Sequence, residues 1–287
     1  MKTQTLVEVR HILQFMEQKG IHVLLSQELR QELNLREYPG FPEVTVTGER
    51  LLHNGEPVDF ALSVGGDGTF LTSAAAIGNK NIPILGVNCG HLGFLADVQT
   101  QDLDDILQKL IEGKYTIERR SLLRVTVLDK LGTPREDLIL SPNALNEIAI
   151  LKQGLTNMLT IETTVNGELL HAYHSDGLVI ATPTGSTAYN LSIGGPLVVP
   201  QSRGIILTPI APHSLTVRPI VMPDDWKLDI RVSSRYDSYM VSVDGRSQSL
   251  STDMSLHVER APYTIKVLQI GDNSFLKSLR TKLNWGK

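Results

Sequence analysis

The spacing of apolar residues changes near residue 119, and this change constrains the fold more than any other feature of the chain. Before it, apolar stripes typical of helices alternate with short apolar runs typical of strands. Such alternation indicates a mainly parallel sheet. The predicted elements of this part are a helix over 3–19, a strand Ile21–Leu25, a helix over 27–36, a strand over 60–64, a helix from Thr69, a strand Ile82–Val87 and a helix over 100–113, with Thr100 as its cap and Gly113 as its stop.

After residue 119 the pattern becomes one of short strands, and Asn166-Gly167 and Asp244-Gly245 are strong hairpin signals. The tail from residue 273 to 283 returns to a helical spacing. We therefore expect an α/β domain over 1–118, a β-rich domain over 119–270, and a helix within 271–287 that packs back on the first domain. The predicted strands of the second part are Leu122–Leu128, Leu138–Leu140, Glu147–Leu151, Leu159–Val165, Glu168–Tyr173, Leu178–Ala181, Ile205–Pro209, Leu228–Ser233, Tyr239–Val243 and Tyr263–Leu268.

Composition limits the class of function. The 287 residues are 41% hydrophobic and 20% charged, which is typical of a globular chain long enough for two domains. A net charge of -4 without a Lys/Arg-rich tract argues against nucleic-acid binding. The single cysteine, Cys89, excludes an intramolecular disulfide and suits a reducing compartment. No signal-peptide pattern is present, and the uncharged stretch 177–202 contains three prolines, so we expect a cytoplasmic protein without a membrane span.

The segment Gly65–Thr69 reads Gly-Gly-Asp-Gly-Thr and joins a predicted strand to a predicted helix. Glycines leave backbone amides open to a ligand, and such a loop at a helix N-terminus suits phosphate. The carboxylate of Asp67 repels phosphate unless it holds a metal ion or takes a proton from a hydroxyl, which points to phosphoryl transfer. An ordinary turn in which Thr69 caps the helix is the alternative, and these five residues alone leave both open.

A second glycine-bearing loop, Asn88–Phe94, follows the next predicted strand. Both loops therefore lie at the carboxyl ends of parallel strands, where open α/β sheets bind their ligands. Phe94 is either a core residue or a wall for an aromatic base.

Two polar segments of the β-rich part complete the set. Asn146-Glu147 offers an amide beside a carboxylate, a pair that can grip a sugar diol. The segment 175–189 combines Asp176 with six hydroxyl side chains, a composition that is costly to bury without polar ligands to satisfy it.

Taken together, these motifs resemble the signature set of the NAD kinase family, in the family's order and over nearly the whole chain. The first motif also occurs in diacylglycerol-type lipid kinases and 6-phosphofructokinases, whereas the Thr-Pro-Thr-Gly-Ser-Thr-Ala-Tyr stretch is far more discriminating. The similar segments are Gly65–Thr69, Asn88–Leu95, Asn146-Glu147, Ser175–Gly177, Thr182–Tyr189, Gly194–Pro196, Pro212–Pro219 and Asp244-Gly245.

The resemblance implies transfer of the γ-phosphate of ATP, with Mg²⁺ or another divalent cation, to the 2'-hydroxyl of the adenosine ribose of NAD. It implies an α/β nucleotide-binding-like N-terminal domain, a β-sandwich-like C-terminal domain, an active site in the cleft between them, and a homodimer or homotetramer. The family usually begins with a strand and a glycine-bearing turn, whereas this chain begins in the helix near Thr3, so ATP binding is the activity that we expect this departure to affect most.

The resemblance also assigns roles to residues. Asp67 would be the catalytic base, and Asn146 and Glu147 would hold ribose hydroxyls or the adjoining base. Asp176 would meet the nicotinamide end, with His174 beside it. Gly65, Gly66, Gly68 and Thr69 would bind the phosphates of ATP, with Gly68 also facing NAD. The adenosine pocket would be lined by Phe94, Thr187, Ala188 and Tyr189, with Ser192 nearby.

Two other functions remain open from the sequence: a related kinase acting on a lipid or sugar alcohol, and a non-catalytic NAD(P)-binding sensor. The expected mark of a sensor, replacement of Asp67 or Glu147, is absent. A zinc site formed by His171, His174 and Asp176 is disfavoured, because positions three apart on a strand point to opposite faces.

Overall fold

The computed structural model describes residues 3–33, 45–47, 50–53, 56–90, 93–96, 98–139, 141–154, 158–271 and 274–286. The chain forms two compact units, one of residues 1–119 and 265–287 and the other of residues 120–264. Within the described ranges, no helix is both long and apolar enough to cross a membrane.

The helices are α1 (Thr3–Gln18), α2 (Gln27–Leu33), α3 (Asp67–Ile77), α4 (Leu103–Ile111), α5 (Tyr189–Ser192) and α6 (Phe275–Lys282). The strands of the first unit are β1 (Thr45–Thr47), β2 (Arg50–His53), β3 (Glu56–Pro57), β4 (Ala61–Gly65), β5 (Ile84–Asn88) and β6 (Val98–Gln99). The later strands are β7 (Thr116–Leu128), β8 (Asn143–Ala144), β9 (Glu147–Leu151), β10 (Leu159–Val165), β11 (Glu168–Ser175), β12 (Gly177–Ala181), β13 (Ile205–Ile210), β14 (Ile220–Met222), β15 (Leu228–Ser233), β16 (Ser238–Val243), β17 (Arg246–Ser251) and β18 (Ser255–Gln269).

The first unit is built on parallel strands, as the alternating pattern predicts. Strand β5 pairs in parallel with β4, with β6 and, through Ile84 and Val267, with the end of β18. All five residues of β5 are buried, which is typical of a parallel strand covered on both faces. Its apolar side chains share one core cluster with residues of α1 and α4. Strands β4 and β5 therefore end side by side, with Gly65 paired to Asn88.

The structure corrects three local predictions in this unit. Ile21–Leu25 is no strand, since only Leu25 makes a β-bridge, and its apolar side chains are accommodated by packing against α1 and its neighbours. The helix expected from Thr69 begins at Asp67. Thr100 lies inside a 3₁₀ turn, Thr100–Asp102, rather than capping the next helix. The predicted helix over 27–36 ends at Leu33 where it is described, and residues 34–36 lie outside the described ranges.

The second unit is a β-sandwich. One sheet is antiparallel with the order β14-β13-β12-β9-β16-β17, and the other contains β11-β10-β15-β18, with β7 pairing β18 and β8. A single hydrophobic cluster draws residues from both sheets, among them Ile148, Ile161 and Leu178. Two sheets that share one core in this way form a sandwich, and together with the parallel strands of the first unit they confirm the predicted fold class.

Both predicted hairpins are present. Asn166-Gly167 joins β10 to β11, and Asp244-Gly245 joins β16 to β17. All four residues have positive φ, between 48° and 86°, as a two-residue hairpin turn requires.

Most predicted strands of this unit form with shifted ends, but Leu138–Leu140 does not. Leu138 and Ile139 are outside any strand and pack against the core cluster, while residue 140 lies outside the described ranges. An apolar run can thus be buried by side-chain packing without backbone pairing. Strands β8 and β14 were not predicted because they are only two and three residues long, and β17 was not predicted because it is exposed at five of its six positions. The first half of β18 was missed although it alternates, with Leu256 and Val258 buried.

The sandwich core generates the first prediction. Ile161 on β10 is fully buried in the shared cluster, so Ile161→Ala is expected to lower the free energy of unfolding by about 2–5 kcal/mol. Leu169 on the neighbouring strand β11 is 61% exposed, and Leu169→Ala is the matched control with an expected loss under about 1 kcal/mol. Urea denaturation of both variants measures the difference, and equal losses would contradict the assignment of Ile161 to the core.

Candidate functional site

Asp67 lies in the first turn of α3, directly after β4, and its carboxylate binds a second loop of the same unit. Oδ2 accepts the backbone N–H of Phe94 at 2.8 Å, and Oδ1 accepts those of Leu95 and Ala96 at 3.0 and 3.1 Å. An ionised carboxylate has about four acceptor positions, so three are used and one, on Oδ2, remains. The two glycine-bearing loops predicted to be neighbours are therefore joined by Asp67.

Two further residues fix this arrangement. The side-chain amide of Asn88 donates to the carbonyl of Ala96 at 3.3 Å, and its Oδ1 accepts the N–H of Gly90 at 2.8 Å. A Cβ at Gly93 would lie 1.9 Å from Oδ1 of Asp67, so only glycine permits the close approach. His91 and Leu92 of this loop lie outside the described residues.

The glycines around Asp67 differ in what surrounds them. A Cβ at Gly65 would clash with the side chain of Thr69, 2.4 Å away, whereas a Cβ at Gly66 or Gly68 would meet no atom of the described chain within 4 Å. Thr69 and Gly68 are exposed. Gly66 is the N-cap of α3 and has no side-chain cap, so the start of this helix presents open backbone of the kind that binds anions.

Phe94 is half-buried and lies beside the C-terminal helix α6, within the same unit. Its ring centroid is 6.4 Å from that of Phe275, and Nζ of Lys282 is 4.9 Å from the ring centre. Lys282 also donates to the carbonyl of Gly93. The ring is therefore held from one side by α6 rather than enclosed in a core.

In the second unit, Asn146 and Glu147 are held by a residue from a distant hairpin. The carboxylate of Asp244 accepts the N–H groups of Leu145 and Asn146, both at 2.8 Å, and of Glu147 at 3.1 Å. The N–H of Asp244 in turn donates to the carbonyl of Glu147 at 3.0 Å. Asp244 thus binds three successive amides, as Asp67 does in the first unit.

Thr182, at the start of the Thr182–Tyr189 segment, donates hydrogen bonds to the backbone carbonyls of Leu145 and Asn146. The N–H of Thr182 donates to the carbonyl of Asn146 at 2.9 Å, and its hydroxyl donates to the carbonyl of Leu145 at 2.5 Å. A Cβ at Gly185 would lie 2.0 Å from the carbonyl oxygen of Asn146, so this contact requires glycine. The structure therefore brings together Asn146-Glu147 and the Thr-Pro-Thr-Gly turn, which the sequence placed in one set.

Glu147 is the unsatisfied group of this cluster. Its carboxylate accepts the N–H of Tyr189, yet Oε2 is buried without a hydrogen-bond partner among the described residues. Burial, followed by the nearby charge of Asp244, raises the pKa of Glu147 to about 7, against the effect of the Tyr189 N–H. A buried acceptor without a partner is costly, so a donor from a ligand would be favoured here.

The hydroxyl-rich segment corrects one expectation, because protein groups satisfy most of these hydroxyls without a ligand. Ser175 donates to the carbonyl of Gly177, Ser186 to that of Val198, and Thr187 to that of Thr184. The turns of this segment expose carbonyls that no strand pairs, and the hydroxyls bond to these.

The remaining predicted residues lie at the surface of the second unit. Tyr189 is 36% exposed and shares α5 with the exposed Ser192, whose hydroxyl donates to the carbonyl of Tyr189. Thr187 and Ala188, just before α5, are half-buried. These four residues lie close together in sequence, with the fully buried Asn190 between Tyr189 and Ser192.

Asp176 and His174 flank the end of β11. Nζ of Lys152 binds Oδ1 of Asp176 at 2.7 Å, a partner that the sequence did not suggest. His174 is exposed, with Nδ1 3.1 Å from the hydroxyl of Thr160. Nowhere in the described residues do three His, Cys, Asp or Glu side chains come together as a metal site would require.

The side-chain role of Asp244 was also missed from the sequence. Asp-Gly was read as turn chemistry, and the turn is present, but the carboxylate additionally binds amides 97 to 99 residues away. The available signal was an Asp-Gly pair placed directly after the apolar strand Tyr239–Val243.

Family models and relatives agree with this reading of the motifs. The chain matches the ATP-NAD kinase N-terminal domain over residues 2–115 and the ATP-NAD kinase C-terminal domain over residues 145–270. It is 48% identical to an NAD kinase of Bacteroides fragilis over 233 residues, covering 81% of this chain and 78% of the relative. It is 38% identical to an NAD kinase of Flavobacterium johnsoniae, covering 97% and 93%.

Two solved structures are also similar. Yeast NADH kinase complexed with NADH has a TM-score of 0.83 at 24% identity, covering 99% of this chain and 84% of that one, which shows a common fold. An NAD kinase from Archaeoglobus fulgidus in complex with ATP has a TM-score of 0.72 at 25% identity, covering 96% and 94%. With both domain models matched and close relatives aligned over most of their length, the chain belongs to the NAD kinase family.

Proposed function

We propose that this chain transfers the γ-phosphate of ATP to the 2'-hydroxyl of the adenosine ribose of NAD, forming NADP and ADP. The observation that carries the proposal is made at Glu147: within the described part of the chain no group donates to its buried Oε2, and Asn146 beside it offers an amide. A ribose diol supplies hydroxyl donors and acceptors that match such a pair. Recognition of the ribose would satisfy an acceptor to which none of the described residues donates.

Asp67 is proposed to align the ribose hydroxyl and accept its proton. The free acceptor position on Oδ2 is available for one O–H, while the other three hold the loop from Phe94 to Ala96. As the 2'-oxygen forms its bond to the γ-phosphorus, the bond from that phosphorus to the bridging oxygen breaks and ADP leaves. The hydroxyl proton passes to Asp67, a contribution typically of about 10² to 10⁴ in rate.

The open backbone of Gly66 and Gly68 supports a role in phosphate binding, together with Gly65 and Thr69. Phosphoryl transfer depends mainly on positioning and on neutralising charge. A divalent cation such as Mg²⁺ would arrive bound to the phosphates of ATP, which are its preferred oxygen ligands alongside water. The carboxylate of Asp67 fits such a cation poorly, since three N–H groups already occupy it.

The remaining assignments follow the family resemblance. Thr187, Ala188 and Tyr189, with Ser192 nearby, are proposed to contact the adenosine, and Phe94 is proposed to contact it as well. Their half-buried or exposed positions leave them accessible. Asp176 and His174 are proposed to face the nicotinamide end. We further propose a cytoplasmic homodimer or homotetramer, a location with which the single cysteine is compatible.

The function is tested with purified protein, NAD and Mg-ATP, followed by a dehydrogenase that is strict for NADP. We expect NADP to form in proportion to ADP. Measurable binding of NAD without formation of NADP would contradict the kinase assignment and favour a non-catalytic sensor. Phosphorylation of a lipid or sugar alcohol in preference to NAD would favour the other alternative.

The role of Asp67 predicts a large loss of turnover in Asp67→Asn, at least about 10²-fold, because the amide cannot take the proton. Asn88→Ala is the matched control, since it weakens the same loop at Ala96 but keeps the carboxylate. Its kcat is expected to fall less than about tenfold. If both variants lose turnover equally, Asp67 acts through the loop and not on the hydroxyl.

The proposed grip of Glu147 on the ribose predicts a pH dependence of NAD binding. The ionised carboxylate is the stronger acceptor, and its pKa is about 7, so the dissociation constant for NAD should fall by up to about tenfold from pH 6 to pH 8. Glu147→Gln should bind NAD more weakly and without this pH dependence. Isothermal titration calorimetry measures both, and the same pH dependence in the variant would rule out Glu147 as its source.

A further inference from the structure

Asp244 occupies an unusual position for a hairpin residue. It lies at φ 48° in the turn between β16 and β17, where Asp and Asn are among the few residues other than glycine that are tolerated. Its carboxylate is directed at the segment Leu145–Glu147, whose three N–H groups converge on it. Successive N–H groups that converge in this way form an anion-binding concavity, and here the anion belongs to the chain itself.

This segment has little freedom of its own. It lies between β8 and β9, where Leu145 and Asn146 are in no strand, and both residues are buried. On the carbonyl side it is held by Thr182, and on the amide side by Asp244. The backbone direction of Asn146 and Glu147, and therefore the direction of their side chains, depends on these two partners.

We propose that Asp244 is a positioning residue for NAD recognition: by binding the amides of Leu145–Glu147, it sets the orientation of the amide and carboxylate side chains that grip the ribose. This inference rests on the proposed function, since it assigns the ribose to Asn146 and Glu147. Asp244 itself contacts no substrate in this account.

If Asp244 acts through its charge as well as its hydrogen bonds, its removal changes the pKa of Glu147. Structural support alone would not change that pKa. Asp244 and Glu147 are close enough to repel, and the charge of Asp244 contributes to the raised pKa of Glu147. Two other groups interact with this pair: Tyr189, whose phenol pKa is raised by burial and then by the charge of Glu147, and Arg246, which lowers the pKa of Asp244 against the larger, raising effect of burial. Removing the charge of Asp244 should therefore make Glu147 ionise at lower pH.

Asp244→Asn is the variant of choice, because asparagine keeps the positive φ of the turn but replaces one acceptor with a donor. We expect the dissociation constant for NAD to rise at least about tenfold at pH 8. The midpoint of its pH dependence should move to lower pH. Asp237→Asn is the matched control, since Asp237 is an exposed turn residue at φ 51° just before the same strand, β16, and should leave both quantities unchanged.

Unchanged affinity and an unchanged midpoint in Asp244→Asn would overturn the inference. A weaker affinity with an unmoved midpoint would reduce Asp244 to structural support and overturn the electrostatic part. These results are distinct from failure of the proposed function, in which the unaltered chain itself would bind no NAD or form no NADP.

Hydrogen exchange on the unaltered chain provides a second measurement that does not depend on the variant folding. If Asp244 holds the three amides, those of Leu145–Glu147 should exchange as slowly as the amides of the paired strand β9. Exchange as fast as that of the exposed amide of Gly167, in the turn between β10 and β11, would overturn the proposal.

Discussion

In each unit, one carboxylate accepts three successive backbone N–H groups, and the candidate site of that unit depends on this interaction. Asp67 binds the amides of Phe94–Ala96, and Asp244 binds those of Leu145–Glu147. Loops at strand ends leave backbone donors that no ladder pairs, and an ionised acceptor satisfies several of them at once. The consequence is a loop of fixed shape that can still present functional side chains.

Asp244 and Glu147 have different roles in the second unit: Asp244 fixes the backbone, and Glu147 is proposed to bind the ribose. Asp244 accepts three backbone N–H groups and so holds the backbone, whereas Glu147 has one oxygen bonded to Tyr189 and one that no described residue contacts as a donor. Leaving a buried acceptor unsatisfied costs stability, typically about 1–3 kcal/mol. A site that binds a polar ligand accepts such a cost, because the ligand then supplies the missing hydrogen bond. The pKa of Glu147 is raised for a related reason, because its carboxylate is buried and lies near the charge of Asp244.

Much of the fold could be predicted because the two halves have clear and different periods. The buried strand β5 and the alternating strand β10 illustrate each period. Prediction failed at Ile21–Leu25 and at Leu138–Ile139, since apolar side chains there are buried by packing without strand pairing. The motifs identified Asp67, Asn146 and Glu147, but the clamp of Asp244 joins residues 97 to 99 positions apart, and no local pattern encodes such a contact. The catalytic and binding roles assigned to these residues stay predictions.

Oε2 of Glu147, which has no hydrogen-bond partner among the described residues, is proposed to accept a hydrogen bond from a ribose hydroxyl. The most direct measurement is a crystal structure of this chain with NAD bound. In such a complex we expect a ribose hydroxyl of the adenosine within about 2.6–3.2 Å of Oε2 of Glu147, with the amides of Leu145–Glu147 still bound to Asp244. A complex in which the ribose contacts neither Asn146 nor Glu147, and Oε2 remains without a donor, would contradict the proposal.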